Sequence, residues 1–388
     1  MLLTASNLFP RVGRPHWGIF NLQLFDALNR IGDVRNIGIV PDWKIWRWGD
    51  VRTWSCPVEC SFSTRYEPVF YLPFLGRTVA ADLYRLSLSG VRDEIREADA
   101  VYATWLYPDG VAMTELAAAS GRPAWIMVQG SDTFHLDNPS RARTIRKACD
   151  KAEGLVCVAS TLADRLHAAG VPKEKLHVVP NGVDTGMFAY RDRTEARDRL
   201  KGMVESPVGQ SVDSSVVILF VGNLVRIKGV DLLMESCSLL DSEFGGDWSL
   251  VIIGEGGDKQ MLESHVRDVG LDAHLHFMDS RPHAEIATWM AAADCLALPS
   301  RSEGMPNVLL EAMAVGCPVV ATDVGACREI TSGYAASRIV PSDDSGQLGR
   351  AIADVVRADY DRQELAQRQA GRYSWDRQAR TIWDLIYG

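Results

Sequence analysis

At 388 residues the chain is too long for one ordinary hydrophobic core, and 47% hydrophobic with 23% charged side chains is the composition of a soluble globular protein. A net charge of -9 argues against nucleic acid as the main partner, and no apolar run approaches the ~20 residues that span a bilayer. Met1 to Pro10 lacks the basic flank and long apolar stretch of a signal peptide, and the eight cysteines are scattered, so the expectation is a cytoplasmic chain with reduced thiols.

In chain order, short β-rich runs alternate with helical ones. Helix Phe20–Arg30 precedes strand Val34–Val40, and strand Ala100–Ala103 precedes helix Gly110–Ala119. Strands at Ala124–Val128 and Gly154–Ala159, helix Thr161–Ala169 and strand Leu176–Val179 complete the first half. A polar stretch, Arg191 to Ser215, then breaks the rhythm as a linker does. Strands at Val216–Val221, Leu250–Ile253, Leu275–Met278, Cys295–Leu298 and Val319–Ala321 restart it. The alternation predicts two doubly wound α/β domains with parallel sheets, residues 1–185 and 186–373, and makes the cleft between them the default ligand site. One segment departs from the pattern. Trp43, Trp46, Trp48 and Trp54 lie within twelve residues beside Lys44, Arg47 and Arg52. Aromatics interleaved with cations suit peripheral contact with a membrane face. The same rings also fit a loop folded over its own domain.

The stretch Glu303-Gly304-Met305-Pro306-Asn307-Val308-Leu309-Leu310-Glu311 carries the most chemistry. Pro306 suits a first helical turn, the apolar run Val308 to Ala314 reads as a buried helix, and Gly316 then Pro318 end it. Glu303 then lies in the loop and Glu311 about one turn into the helix. The backbone N–H groups within 304 to 308, of which Pro306 has none, sit at the positive end of the helix dipole. Such a junction can hold a diphosphate on its amides while two carboxylates accept hydroxyl protons on either side. A nucleotide sugar presents that pattern. The only Asp-x-Asp of a metal-dependent transferase, Asp359-Tyr360-Asp361, lies far along the chain from these motifs and reads as surface, so no metal ligand is expected.

These motifs together resemble the retaining glycosyltransferases of family 4, with GT-B architecture. The resemblance runs through Phe9-Pro10 with Gly18, Tyr107-Pro108-Asp109-Gly110, Gly130-Ser131-Asp132 and Pro180-Asn181-Gly182-Val183-Asp184. It continues through Gly222-Asn223-Leu224-Val225-Arg226-Ile227-Lys228-Gly229, Gly254-Glu255-Gly256, the Glu303…Glu311 pair and Ala321-Thr322-Asp323-Val324-Gly325. It implies a donor domain in the second half, an acceptor domain in the first, and a C-terminal helix, 374–388, that returns to the first domain. Trp375 and Trp383 then serve packing.

By resemblance, Glu311 accepts the donor ribose hydroxyls and Glu303 holds hydroxyls of the transferred sugar. Gly304, Met305, Pro306, Asn307 and Val308 form the amide-bearing junction, and Lys228 pairs with the diphosphate. Gly254 and Glu255 lie beside the nucleoside, and Gly18 allows close backbone approach to the phosphate. Asp109, Gln129, Gly130 and Asp132 fall on the acceptor side, where Asp132 reads equally as a helix cap and Asp109 as a turn residue. Many relatives carry Arg where Asn223 stands; Asn supplies no charge, and Arg226 is the candidate replacement cation. Gln129 and Thr104 occupy positions where relatives often have His. The implied activity is metal-independent, retaining hexosyl transfer from a UDP- or GDP-sugar to a cell-envelope glycan or lipid-linked acceptor, with no cofactor. An epimerase of nucleoside diphosphate sugars, or a non-catalytic sugar-nucleotide-binding protein, would use the same architecture.

Overall fold

The computed structural model describes residues 1–72, 79–203, 212, 216–269 and 271–388. The chain divides into two compact units, Met1–Gly182 with Trp375–Gly388, and Val183–Ser374.

The first unit is built on seven parallel strands. These are β1 Leu2–Ser6, β2 Val34–Pro41, β3 Ser63–Val69, β4 Ala100–Thr104, β5 Ala124–Val128, β6 Gly154–Cys157 and β7 Leu176–Val178. Their order is β3-β2-β1-β4-β5-β6-β7, so the winding reverses between β1 and β4. There Leu2 pairs with both Val34 and Ala100. The central strands are mostly apolar and buried along their whole length, as a sheet covered by helices on both faces requires. Leu3, Ala5, Ile37, Val101, Ala103 and Leu116 share one core.

Helix α1, Ile19–Asn29, follows β1, and α2, Val111–Ala119, follows β4. After β6 comes α3, Ser160–Ala168. β3 was not anticipated because its sequence, STRYEPV, mixes charge with strand formers. Its Glu67 is fully buried and is neutralised by Arg52 at 2.7 Å and Arg65 at 3.0 Å.

The second unit repeats the plan with six parallel strands. These are β8 Val216–Val221, β9 Trp248–Ile253, β10 Leu275–Met278, β11 Cys295–Leu298, β12 Val319–Thr322 and β13 Ser337–Val340. The order β10-β9-β8-β11-β12-β13 places the reversal between β8 and β11, where Cys295 pairs with Ile218. Ligands of open α/β sheets bind outside the carboxyl ends of the strands at such a switch point.

The polar stretch read as a linker is corrected in part. Its first half forms helix α4, Arg193–Met203, while 204–211 and 213–215 lie outside the described residues. α4 looks like a linker in sequence because it is charge-rich. It holds its place by packing on α5, His283–Ala292, and by pairing Arg193 and Arg197 with the buried Asp294, the latter at 2.6 Å. Helix α6 spans Asn307–Ala314, so Pro306 flanks it rather than opening its first turn. Helix α7, Trp375–Tyr387, belongs to the first unit and packs on α1. Trp383 fills the space above Gly32, where even a Cβ would come within 2.3 Å of the indole. Arg30 pairs with Asp376 at 2.5 Å beside it.

Candidate active site

In the second unit the loops after β8 and β11 meet at the switch point, and they bring Lys228 and Glu303 together. Lys228 Nζ lies 2.7 Å from Glu303 Oε1, and Ser300 Oγ donates to the same oxygen at 2.6 Å. Glu303 is largely buried, with 8% of its side chain exposed. Among the described residues no donor reaches its second oxygen, Oε2. The ammonium has three N–H groups and spends one here. The pair therefore presents two cationic donors and one carboxylate acceptor side by side.

Arg301 ties the two loops. Its guanidinium grips Asp231 through two bonds of 2.7 and 2.9 Å, meets Asp343 at 2.7 Å, and donates to the Arg226 carbonyl at 2.8 Å. Its backbone N–H donates to the Ile227 carbonyl at 2.8 Å. Bidentate arginine–carboxylate geometry fixes orientation as well as distance. The sequence reading missed Arg301 and Ser300; the only signal was their place in the run leading to Glu303. The Arg226 side chain itself is exposed, and among the described residues no carboxylate pairs with it. Asn223 is also exposed, so it can meet a ligand but brings no charge.

Gly254 belongs to a second turn against the same loop. Its φ of 156° lies where side chains rarely go, and a Cβ would fall 1.9 Å from the Gly222 carbonyl. Glu255 is exposed and uses its carbonyl to accept from Leu224 at 2.8 Å. Met305 and Pro306 are buried beneath the junction, and Gly304 accepts from the Ala326 amide at 2.9 Å. Asn307 and Val308 open α6, and Glu311 follows one turn later. Desolvation alone pushes the Glu311 carboxyl up to about 7, and among the described residues nothing donates to it. A carboxylate left without donors is costly unless a ligand supplies them.

The first unit presents a buried polar network at its own switch point. Gly18 starts α1 with φ 66°, and a Cβ there would lie 2.1 Å from the Leu8 carbonyl. The chain's own packing thus already demands glycine at 18. Asn21, one turn on, donates to that carbonyl at 2.8 Å and to Ser6 Oγ at 3.2 Å. Its own side-chain oxygen accepts from Gln129 Nε2 at 2.7 Å. Thr104 donates to Ser6 at 2.6 Å.

Asp109 is fully buried. It receives the Asn7 amide at 2.7 Å and the Asn7 side chain at 2.9 Å. Burial pushes its carboxyl up to about 8 against the pull of Asn7. Asp132, also fully buried, accepts from the backbone amides of Leu106, Gln129 and Gly130, the last at 2.7 Å. Both carboxylates hold loops in place and neither reaches the surface, so their geometry is that of positioning groups. Asn7 and Asn21, which sequence reasoning passed over, carry the network; both follow the short strand β1, where no motif marks them. Among the described residues no three His, Cys, Asp or Glu side chains gather as a metal site.

The tryptophan segment divides. Trp48 and Trp54 are half-buried, the latter against Tyr66, while Trp43 is 50% and Trp46 71% exposed. Among the described residues no helix is long and apolar enough to cross a membrane.

Two doubly wound parallel sheets of seven and six strands are the arrangement of GT-B glycosyltransferases. The fold matches HepE of Anabaena, solved with UDP, at a TM-score of 0.73 and 16% identity, covering 99% of each chain. It matches sucrose-phosphate synthase of Thermosynechococcus elongatus at 0.78 and 17%, covering 99% and 98%. In sequence, residues 56–186 match the family model Glycosyltransferase Family 4, and 215–358 match Glycosyl transferases group 1. The chain belongs to this family.

It is 33% identical over 216 residues to D-inositol 3-phosphate glycosyltransferase 1 of Catenulispora acidiphila, which is 53% of this chain and 49% of that protein. The match thus spans about half the length of that relative. Identity to the putative teichuronic acid biosynthesis glycosyltransferase TuaC of Bacillus subtilis is 25% over 371 residues, 92% and 88% of the two chains.

Proposed function

We propose that the chain transfers a hexosyl group from a UDP- or GDP-sugar, without a metal ion and with retention of configuration, to a cell-envelope glycan or lipid-linked acceptor. The carrying observation is the Lys228–Glu303–Ser300 cluster standing at the switch point of the second unit. In this reading the diphosphate lies on Lys228, the exposed Arg226 and the amides preceding α6. Glu311 accepts the ribose diol, and Glu303 Oε2 accepts a sugar hydroxyl. The bond from the anomeric carbon to the phosphate oxygen breaks and the acceptor oxygen bonds to that carbon on the same face. The acceptor proton passes to the departing phosphate. A unit charge pair at ~4 Å in a partly buried site contributes roughly 4 kcal/mol, enough to matter for a leaving group that gains negative charge.

UDP in the HepE structure and the teichuronic acid biosynthesis in the name of TuaC support the donor and acceptor classes. The first unit then binds the acceptor. Exposed Trp43 and Trp46, with Ile45 59% exposed between them and Lys44 and Arg47 alongside, support peripheral contact with the inner face of a membrane. Flotation with anionic liposomes checks that contact, and protein left in the unbound fraction counts against it.

Thermal melts with a panel of UDP- and GDP-sugars in EDTA test the donor reading, because a ligand bound only by the folded chain raises its melting temperature. No shift with any of them overturns it. Donor consumption without acceptor, yielding an isomeric sugar nucleotide, would favour an epimerase. Inverted product by NMR would refute retention.

A further inference from the structure

Three loops at the carboxyl ends of the second sheet, those after β8, β11 and β13, meet at the guanidinium of Arg301. Nη1 and Nη2 grip Asp231 at 2.7 and 2.9 Å, Nε meets Asp343 at 2.7 Å, and Nη1 also donates to the Arg226 carbonyl at 2.8 Å. These bonds engage four of the five guanidinium N–H groups, so at most one remains for a ligand. Asp231 stands in the first turn of the helix Val230–Glu235, directly after the Arg226–Lys228 turn.

Two features set this cluster apart from ordinary surface charge. Asp343 holds a left-handed backbone with φ 60°, which costs an L residue free energy and persists only where the surroundings fix it. Asp231 and Asp343 are 40% and 59% exposed, and ion pairs so open to water contribute little to stability. What they supply is direction. Two carboxylates on one planar cation fix its orientation, with Nη1 on the Arg226 carbonyl. That carbonyl also accepts from the Gly229 amide at 3.1 Å and so closes the turn that carries Lys228. Gly229 has φ 68°, and a Cβ there would lie 2.0 Å from the Pro299 carbonyl, so the turn sits directly on the loop that bears Ser300 and Glu303. Among the described residues the Lys228 ammonium has no tie of its own beyond Glu303.

We propose that Arg301 is a positioning residue: braced by Asp231 and Asp343, it sets the Arg226–Lys228 turn so that the Lys228 ammonium meets charge developing on the departing phosphate. The proposal rests on the transferase reading given above. Loss of Arg301 removes no group assigned to the donor but lets the turn drift. A displacement of about 1 Å can lower a rate by roughly 100-fold. Because the charge on the phosphate grows towards the transition state, the loss falls on kcat rather than on KM.

Two measurements test this: steady-state kinetics with the UDP- or GDP-sugar that the wild type consumes, and crystal structures of wild type and Arg301→Gln without nucleotide. Arg301→Gln should lower kcat about ten- to hundredfold, with donor KM changed less than about threefold. Arg301→Lys keeps the charge without the fork and should recover little of that loss. Adding Arg301→Gln to Lys228→Ala should slow that variant less than about twofold, since the group it positions is already gone. In the crystal of Arg301→Gln, Lys228 Nζ should stand at least ~1 Å farther from Glu303 Oε1 than the 2.7 Å of the intact chain. Asp343→Asn, a change at an exposed position, removes one brace and decides the matter if Arg301→Gln does not fold; its kcat should fall roughly three- to tenfold. Losses that multiply in the double variant, rescue by lysine, or a lowered kcat with Lys228 unmoved overturn the proposal. The two readings fail separately. Wild-type transfer with kcat and Lys228 unchanged in Arg301→Gln refutes the positioning role alone, and a displaced Lys228 in a chain that turns over no donor refutes the transferase reading alone.

Discussion

Replacing Glu311 by glutamine probes the one site carboxyl whose burial nothing relieves. Its pKa rises from 4.5 to about 7 through desolvation alone. Between those values the folded chain holds a proton that the unfolded chain releases, so stability falls as pH rises from 4.5 to about 7 and stays lowered above it. At 1.36 kcal/mol per pH unit the full effect is roughly 3 kcal/mol. Water reaching the half-buried side chain reduces it to about 1–2 kcal/mol.

Glutamine carries no such penalty. Glu311→Gln should therefore melt about 2–8 °C above the wild type at pH 8, with the gap closing towards pH 4.5. Calorimetric melts of both proteins across that range read the gap directly. The same variant should bind a UDP- or GDP-sugar at least tenfold more weakly at pH 8, since an amide offers one oxygen and no charge to a diol. Wild-type donor affinity should itself decline below pH 7 as the carboxyl takes up its proton. A melting gap that does not vary with pH refutes the desolvation argument, and unchanged donor affinity removes Glu311 from the ribose.

Lys228→Ala should lower the transfer rate about 10²- to 10³-fold in steady-state kinetics, because it removes the cation proposed to meet the leaving group and strips Glu303 of its counter-ion; turnover near wild type would defeat that role. Arg226→Ala should cost more than tenfold if its exposed guanidinium replaces the charge that Asn223 lacks, and a smaller loss assigns the diphosphate to Lys228 alone. Gly18→Ala should destabilise the first unit by about 2 kcal/mol or more, since it combines a left-handed φ with a Cβ set against the Leu8 carbonyl. An unchanged urea midpoint would contradict that account.

Much of the candidate site could be read along the chain because its parts are local. Glu303, Pro306 and Glu311 belong to one loop and one helix, and spacing alone sets their relation to the α6 terminus. Lys228 and Asn223 share one turn after β8. What could not be read are relations between distant segments. The Lys228–Glu303 pair joins positions 75 apart, and the Asn7–Asp109 bonds join positions 102 apart. Arg301 looked like an ordinary charge beside Glu303 until the structure set it between Asp231 and Asp343. β3 and α4 escaped for a related reason. Their charges are neutralised by partners elsewhere in the fold, Arg52 for Glu67 and Asp294 for Arg197, so the local pattern reads as loop.

Strand and helix periodicity, set by backbone geometry and the burial of apolar runs, is a property of consecutive residues, and it was enough to define two doubly wound domains and the motifs at their strand ends. Strand order, and with it the switch points that gather β1 with β4 and β8 with β11, arises from pairing across the chain. Only that pairing decides which carboxylates are neutralised and which cations keep unmet N–H groups. Burial and electrostatics depend on what surrounds a group in space, and sequence neighbours are a small part of that surrounding.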